Sequence, residues 1–317
     1  MTDEIMVSVL CTAYNHEKYI RDALEGFVMQ KTTFPFEVLV HDDASTDHTA
    51  DIIREYEAKY PDIIKPIYQS ENQYSQGIKI YQNYLYPRVH GKYIAFCEGD
   101  DYWTDENKLQ MQVDYLEAHP ECPACVHNTI LKDIMKKKET VWHSCEERDL
   151  VLSDVVTGDH IYHTSSLVYR SECLRNRPPF LYAIDGVGDY PKRIDLTLRG
   201  PIHYFGKVMS VYRYGTEGSW TRGMINDGGK RKLKLCEQSV KMLEMANQFS
   251  NYRYDDIFQL AINEKKYALN IAKGNFRAVL THSCFRQSSL KDKAKTIIKM
   301  LFPFYGKIKI LLYRIGK

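Results

Sequence analysis

The chain has 317 residues, of which 44% are apolar and 26% charged, and a net charge of +2. This length exceeds the usual single domain and points to one large domain with an appendage, while the composition excludes a disordered or fibrous chain. The balanced charge argues neither for nor against nucleic acid as a partner, and no apolar run approaches the roughly 18 residues of a membrane span.

The start, MTDEIMVSVLC, is acidic and runs directly into a strand-like segment, unlike a secretory signal. The eight cysteines are scattered. Cys11 and Cys97 lie in apolar runs and read as buried thiols. Cys122 and Cys125 form a CxxC without a second pair, which favours a structural thiol pair over a metal or redox site. A reducing cytoplasmic setting is expected.

Ile5 to Cys11 is rich in β-branched residues and reads as a buried parallel strand. From His16 to Met29 the residues Tyr19, Ile20, Ala23, Leu24, Phe27 and Val28 make a helical stripe. Phe36 to Val40 is a second strand, followed by Ser45, Thr46 and Asp47 as caps for a helix with Ala50, Ile53, Tyr56 and Tyr60 inward. Ile63 to Tyr68 and Tyr93 to Cys97 are further strands. A capped helix is expected from near Thr104, with Leu109, Val113 and Leu116 inward. This alternation implies an α/β fold with a mostly parallel sheet between helices.

Ligands of such sheets bind beyond the carboxyl ends of the strands. The polar clusters fall there: Thr12 to Asn15, Asp42 to Asp47, and Glu98 to Asp101. Beyond residue 120 the pattern loosens, with strand-like pieces at Ala124–Leu131, Ser166–Tyr169 and Val208–Tyr214. Gly215 to Lys230 holds five glycines and reads as a mobile loop. Leu233–Phe249 and Ile257–Ala272 read as helices. The expected division is a catalytic domain over 1–215, the loop over 216–230, and a helical region over 231–317.

Glu98-Gly99-Asp100-Asp101 offers carboxylates just beyond a strand, with a glycine that lets backbone approach a ligand. Magnesium-like ions take one or two protein carboxylates and fill their shell with phosphate oxygens and water, and such an ion neutralises a diphosphate leaving group. A solvated acidic turn is the plain alternative. The convergence of Asp42 and Asp43 on the same edge favours a cation or cationic ligand, because like charges repel.

The segments VSVLCTAYNHEKYI, FEVLVHDDASTDHT and GKYIAFCEGDDYWTDENKLQMQ, in that order, resemble the inverting family 2 glycosyltransferases of the GT-A fold, over roughly residues 5 to 215. The resemblance implies that Thr12, Ala13 and Tyr14, with Asn15 beside them, line a nucleobase pocket. It implies that Asp42 or Asp43 binds the base, typically uracil, that Asp100 meets the donor's ribose or phosphate, and that Asp101 binds Mn2+ or Mg2+. Glu98 stands where many relatives have the first Asp of a DxDD pattern. Tyr212-Arg213 resembles the family's YR near the diphosphate. Many relatives carry an Arg just before Asn83, where this chain has Gln82, so Lys79 is the candidate substitute. Where relatives often have a His after the YR, this chain has Gly215, and a third metal ligand is not offered there.

Inversion at an anomeric carbon needs a carboxylate to take the acceptor's proton. Gly188-Asp189-Tyr190, leading to Leu196, Leu198, Arg199 and Gly200, matches the family's pattern for this base and favours Asp189 over Asp185 and Asp195; a helix cap is the other reading of Asp189. GVGDYP also looks like half a dinucleotide fingerprint, but the third Gly is missing. His163-Thr164-Ser165 resembles the segment facing the acceptor, or is a plain Ser/Thr-rich turn.

Apolar positions from Ala294 to Ile315 make one face of a helix broken at Pro303, with lysines and arginine opposite. Such a tail over 294–315 suits an anionic membrane surface; a helix packed on the domain is the alternative. No nucleic-acid module accompanies it.

The sequence thus points to an inverting, metal-assisted hexosyl- or N-acetylhexosaminyltransferase. It would use a nucleotide-sugar donor, typically UDP-linked, and a glycan or lipid-linked acceptor, and act in the cytoplasm or on the inner face of the membrane. A nucleotidyltransferase would share the carboxylates but usually shows a Gly- and Lys/Arg-rich phosphate loop after the first strand, where this chain has TAYNHEKY. A catalytically inactive sugar-nucleotide- or glycan-binding module is the other alternative.

Overall fold

The structure is a computed structural model that describes residues 4–143, 146–157, 161–217, 219, 222–223 and 230–301. The chain divides into two units, one of residues 1–178 and 192–225, the other of 179–191 and 226–317.

The first unit holds β1 (Val7–Ala13), α1 (Ile20–Val28), β2 (Phe36–Asp42), α2 (Thr49–Lys59), β3 (Ile64–Tyr68), β4 (Tyr93–Phe96), β5 (Tyr102–Trp103), α3 (Lys108–Ala118), β6 (Ala124–Asp133), β7 (Lys138–Val141), β8 (Arg148–Leu150), α4 (Leu152–Thr157), β9 (Val168–Arg170), most of α5 (Asp189–Arg199) and β10 (Ile202–Tyr214). They build one sheet in the order β3-β2-β1-β4-β9-β6-β10-β5, with β7 on β6 and β8 on β10. β1 runs parallel to β2 and β4, β2 to β3, and β6 to β10. The antiparallel pairings all involve the short strands β5, β7, β8 and β9. The expected α/β fold with a mostly parallel sheet is therefore present.

Alternate residues of a strand face opposite sides, and β1 shows why its run is mostly apolar, with Ser8 donating to the buried Glu37 carboxylate of β2 at 2.6 Å. Val7, Val9 and Cys11 pack under Ile20, Leu24, Phe27, Leu109 and Val113. Leu10 joins Leu39, Ile94, Phe96, Leu196 and Tyr204 on the other face. Both faces are buried, as in parallel sheets generally. The register sets Ala13 beside Asp42 and Leu10 beside Phe96, so the polar clusters after β1, β2 and β4 share one edge.

Several boundaries differ from the sequence reading for identifiable reasons. The helix expected from His16 starts at Ile20, because the His16 carbonyl is taken by the amides of Tyr19 and Ile20 in a preceding turn. The helix expected near Thr104 starts at Lys108, because the Thr104 amide bonds the Met209 carbonyl and extends the β5–β10 pairing. β10 begins at Ile202, earlier than Val208, and register shifts between Phe205 and Ser210 break its alternation. Ser166 lies in a 3-10 turn, and the strand after it is β9.

The second unit contains α6 (Lys230–Phe249), α7 (Asp255–Ala272), α8 (Phe276–Thr281), α9 (Ser283–Gln287) and α10 (Leu290–Leu301). Val279, Phe285 and Met300 form a small core with Tyr267, Ile271 and Ile297. Of the loop expected over 216–230, residues 218, 220–221 and 224–229 lie outside the described residues, as does 302–317 of the tail.

One core residue of the first unit carries an amine. Lys108 is fully buried. Its Nζ donates to Gln112 Oε1 at 2.7 Å and lies 4.0 Å from the Trp103 ring centroid. Burial pushes the amine down to about 7. Unfolding returns it to its ordinary value near 10.5, so the unfolded chain binds more protons between these values and stability rises with pH across that window. Lys108→Met should therefore gain most over the parent at and below pH 7, with the gain shrinking towards pH 10. Melting curves of both proteins across that range check this; a constant difference would refute it.

Candidate active site

The turn after β4 is shaped by close backbone approach. The Gly99 amide bonds the Thr12 carbonyl at 2.9 Å and the Asp101 amide bonds the Glu98 carbonyl at 3.0 Å. A Cβ on Gly99 would lie 2.9 Å from Ile20 Cδ1 and 3.0 Å from His16 Nδ1. Only glycine fits there without displacing its neighbours.

The two aspartates that follow are held from β10. Asp101 is 2% exposed; its Oδ1 accepts the Arg213 backbone N–H at 2.8 Å, and its Oδ2 lies 3.8 Å from His163 Nδ1. Arg213 Nη1 donates to the Asp100 carbonyl at 2.9 Å, and Nη2 donates to the Asp22 carboxylate on α1. The guanidinium lies 4.4 Å from the Tyr102 ring centroid and 5.3 Å from that of Tyr19. Thr216 Oγ1 donates to Asp100 Oδ2 at 2.7 Å. Gly215 between them has φ +83°, and a Cβ there would meet the Met135 side chain at 3.0 Å, which accounts for glycine at this position.

Glu98 is half-buried and accepts from Tyr81 OH at 3.1 Å. Burial and the neighbouring Asp100 raise its carboxyl above the usual range, against the Tyr81 bond and the charge of Lys192. Asp101 is pushed well above it by burial, then by Asp100 and Glu98, with Arg213 opposing. Lys192 Nζ itself lies 3.7 Å from the Phe96 ring centroid.

The other carboxyl ends hold themselves together. Asn15 has φ 55°, a left-handed conformation that asparagine tolerates. Its Oδ1 accepts the Thr46 amide at 2.8 Å and its own amide donates to Ser45 Oγ at 2.9 Å. Tyr14 beside it is 44% exposed. Asp42 accepts Ser45 Oγ at 2.5 Å and the Ser45 amide at 3.3 Å. Asp43 accepts the amides of Gln73 and Tyr74 at 2.9 and 3.0 Å. Thr12 and Ala13 complete this edge at the end of β1. Lys79 is exposed, and its carbonyl takes the Asn83 amide.

His163 comes to the same place as Asp101, with Ser165 beside it, and Thr164 lies between them in a 3-10 turn. The His163 ring stacks on Tyr212 at 4.0 Å. Its Nδ1 lies 2.9 Å from Ser165 Oγ, which is 3.0 Å from Ser210 Oγ. Trp103 Nε1 donates to the Ser165 carbonyl at 2.9 Å. Asp189 opens α5 in the segment that groups with the second unit. Of its two competitors, Asp195 is buried against Arg199 at 3.1 Å in the first unit, and Asp185 pairs with Lys234 at 2.9 Å and Gln238 at 2.8 Å in the second.

Asp22, Tyr81, Lys192 and Thr216 were not singled out from the sequence. Asp22 and Lys192 sit on helices with no local mark of their partners. Only Thr216, just past the YR and its glycine, offered a positional hint.

A divalent cation fits this donor set. The carboxylates are hard oxygen ligands; Asp101 and Glu98 are raised first by burial and then by the neighbouring Asp100, and a cation would relieve both costs. Among the described residues no three His, Cys, Asp or Glu side chains form a ready cage. The protein would then supply one or two carboxylates, and phosphate and water the rest.

Known proteins resemble the chain in sequence and in fold. The profile of "Glycosyl transferase family 2" matches residues 8–175. An uncharacterized protein of Mycobacterium tuberculosis is 38% identical over 219 residues, covering 68% of this chain and 60% of that protein; the chain thus spans about 60% of that relative's length. The Escherichia coli UDP-Glc:alpha-D-GlcNAc-diphosphoundecaprenol beta-1,3-glucosyltransferase WfaP is 33% identical over 113 residues, 36% of this chain and 42% of WfaP. Among solved structures, Staphylococcus aureus TarS 1–349 with UDP-GlcNAc superposes with a TM-score of 0.60 at 17% identity, over 95% of this chain and 80% of that one. The mannosyltransferase PcManGT of Pyrobaculum calidifontis, with GDP-Man and Mn2+, gives 0.55 at 19% identity, over 98% and 84%. The fold is thus GT-A-like, as the resemblance implied.

The bonds from β10 have a measurable share in stability. Arg213→Met leaves Asp22 and the Asp100 carbonyl without that donor and should cost about 2–3 kcal/mol, while Thr216→Val should cost about 1 kcal/mol. Urea denaturation measures both, and an Arg213→Met protein as stable as the parent would show that the guanidinium does not brace the turn.

Proposed function

The chain belongs to glycosyl transferase family 2, and from that premise we propose that it transfers a hexosyl or N-acetylhexosaminyl group from a UDP-sugar to a glycan or lipid-linked glycan with inversion. The observation that carries this reading is the acidic turn Glu98–Asp101, with Asp101 raised by its burial and then by its acidic neighbours. Donors named for the similar proteins, UDP-GlcNAc for TarS and UDP-Glc for WfaP, support a UDP-sugar. The undecaprenol-linked acceptor in the name of WfaP supports a lipid-linked one, and the Mn2+ of PcManGT supports a divalent ion.

In this mechanism Asp101 holds Mn2+ or Mg2+, with Glu98 as the neighbouring carboxylate. When bound, the ion neutralises charge developing on the diphosphate. Thr12, Ala13, Tyr14 and Asn15 with Asp42 or Asp43 receive the nucleobase, and Asp100 receives the ribose or a phosphate. Lys79 and Arg213 supply positive charge on the diphosphate side; Arg213 also fixes the turn on which Asp100 and Asp101 sit. His163, Thr164 and Ser165 face the acceptor. Asp189 takes the proton from the attacking hydroxyl, so that the oxygen reaches the anomeric carbon as the bond to the diphosphate breaks.

Peripheral placement at the inner face of a membrane belongs to the same proposal. Among the described residues no helix is long and apolar enough to cross one.

Release of nucleoside diphosphate from a panel of sugar nucleotides, with manganese, magnesium or EDTA, tests the reading. One donor should be turned over, and both EDTA and Asp101→Ala should abolish turnover. Asp189→Asn should bind that donor as the parent does and lose about 10²–10⁴ in transfer rate. Pyrophosphate as the product would point to nucleotidyl transfer, and metal-independent turnover would remove Asp101 from its assigned role.

A further inference from the structure

The helix α10 carries two distinct apolar faces. Met300 is buried and Ile297 half-buried against Val279 and Phe285 in the core of the second unit. Leu290, Ala294, Ile298 and Leu301 are exposed, with Leu290 at 86%, Ile298 at 44% and Leu301 at 56%. At about 100° per residue, these four positions fall within one stripe about 80° wide, roughly 90° around the helix from the buried face. Lys291 and Lys295, both exposed, follow on the far side of that stripe. Around the helix the order is therefore buried face, exposed apolar stripe, lysine row.

Local charge selects the partner. Between Lys273 and Leu301 the sequence has seven Lys and Arg and one acid, Asp292, in a chain whose net charge is only +2. An apolar stripe flanked by lysines fits the interface of a bilayer, where the stripe enters the acyl boundary and the ammonium groups meet anionic headgroups. A protein partner would need its own acidic and apolar complement, and a second copy would set the Lys291/Lys295 rows against each other, where among the described residues only Lys295 is answered, by Asp292 at 3.1 Å. We propose that the Leu290–Leu301 stripe and the Lys291/Lys295 row dock the protein on a membrane surface containing anionic lipid. This names the surface for the peripheral placement proposed above and rests on that placement, not on catalysis.

The test is co-sedimentation of the full chain with phosphatidylcholine vesicles, with and without phosphatidylglycerol, in the absence of any sugar nucleotide. The parent should bind the anionic vesicles and lose binding as salt is raised. Leu290→Asp with Ile298→Asp should weaken binding by about tenfold or more. Lys291→Gln with Lys295→Gln should weaken it on anionic vesicles only, by roughly fivefold per lysine. Both substituted pairs are at exposed positions, and unchanged circular dichroism will confirm folding. If the parent ignores anionic vesicles, peripheral placement and docking face fall together. If it binds and the Leu290→Asp, Ile298→Asp protein binds equally well, the placement stands and this face is wrong. A concentration-dependent dimer that Leu290→Asp disperses would assign the stripe to a second copy instead.

Discussion

Arg213 reaches the Asp100–Asp101 turn from β10 and fixes it at two points, through its backbone amide to Asp101 and its guanidinium to the Asp100 carbonyl. The constraint it meets is electrostatic. Glu98, Asp100 and Asp101 crowd a turn after a buried strand, where burial and then the charge of Asp100 raise the carboxyls of Glu98 and Asp101. An arginine is suited to this place because it keeps its charge and spreads several donors in one plane. It adds one cation to three carboxylates, with Asp22 taking part of that cation's charge. The turn is therefore kept in place without being neutralised, and it retains a demand for positive charge that a divalent ion would meet.

This dependence explains why β10 is long and irregular. It must run parallel to β6 through most of its length, pair with β5 at Ser210 and Val211, and still deliver Arg213 to the opposite turn. The register shifts between Phe205 and Ser210 adjust which side chains face the sheet's two sides. Ser210 then meets Thr129 and Ser165 through hydroxyl contacts of 3.0 Å, and Tyr212 stacks on His163. One strand thus orders both the acidic turn and the His163–Ser165 segment beside it.

The parts legible in the sequence are those whose partners follow from strand order alone. VSVLC, FEVLV and YIAFC are apolar on both faces apart from the paired Ser8 and Glu37 and end in polar clusters, so a parallel sheet places those clusters on one edge whatever the details. The elements that escaped depend on distant partners. Asp22 meets Arg213 across 191 residues and Thr216 meets Asp100 across 116; Asp22 has no local signal, and Thr216 has only its place just past the YR and its glycine. Lys108 is a different case: its partners Trp103 and Gln112 are near in sequence, and only the packing of its helix against the sheet buries it. The grouping of 179–191 with the C-terminal helices is equally invisible, because Phe180 packs on Phe249 and nothing near Phe180 announces it.

The acids at the carboxyl edge, which look alike in sequence, are sorted by their hydrogen-bond donors. Asp47 is partly buried, which would raise its carboxyl, but the hydroxyl and amide of Thr49 and the amide of Glu17 outweigh burial and lower it. Asp42 and Asp43 spend their oxygens on Ser45 and on the amides of Gln73 and Tyr74. These carboxylates brace loops, and their charge is answered within the protein. Asp101 receives one backbone amide for a nearly inaccessible side chain, and Glu98 one phenol. Since a buried carboxylate is costly until it is paired, the two groups left short of donors are those for which an incoming cation brings the largest gain. The division also bears on Asp43. A base bound there would share oxygens already committed to the Gln73–Tyr74 backbone, so any contact with the nucleotide must use their remaining lone pairs, and it would couple base binding to the position of that loop.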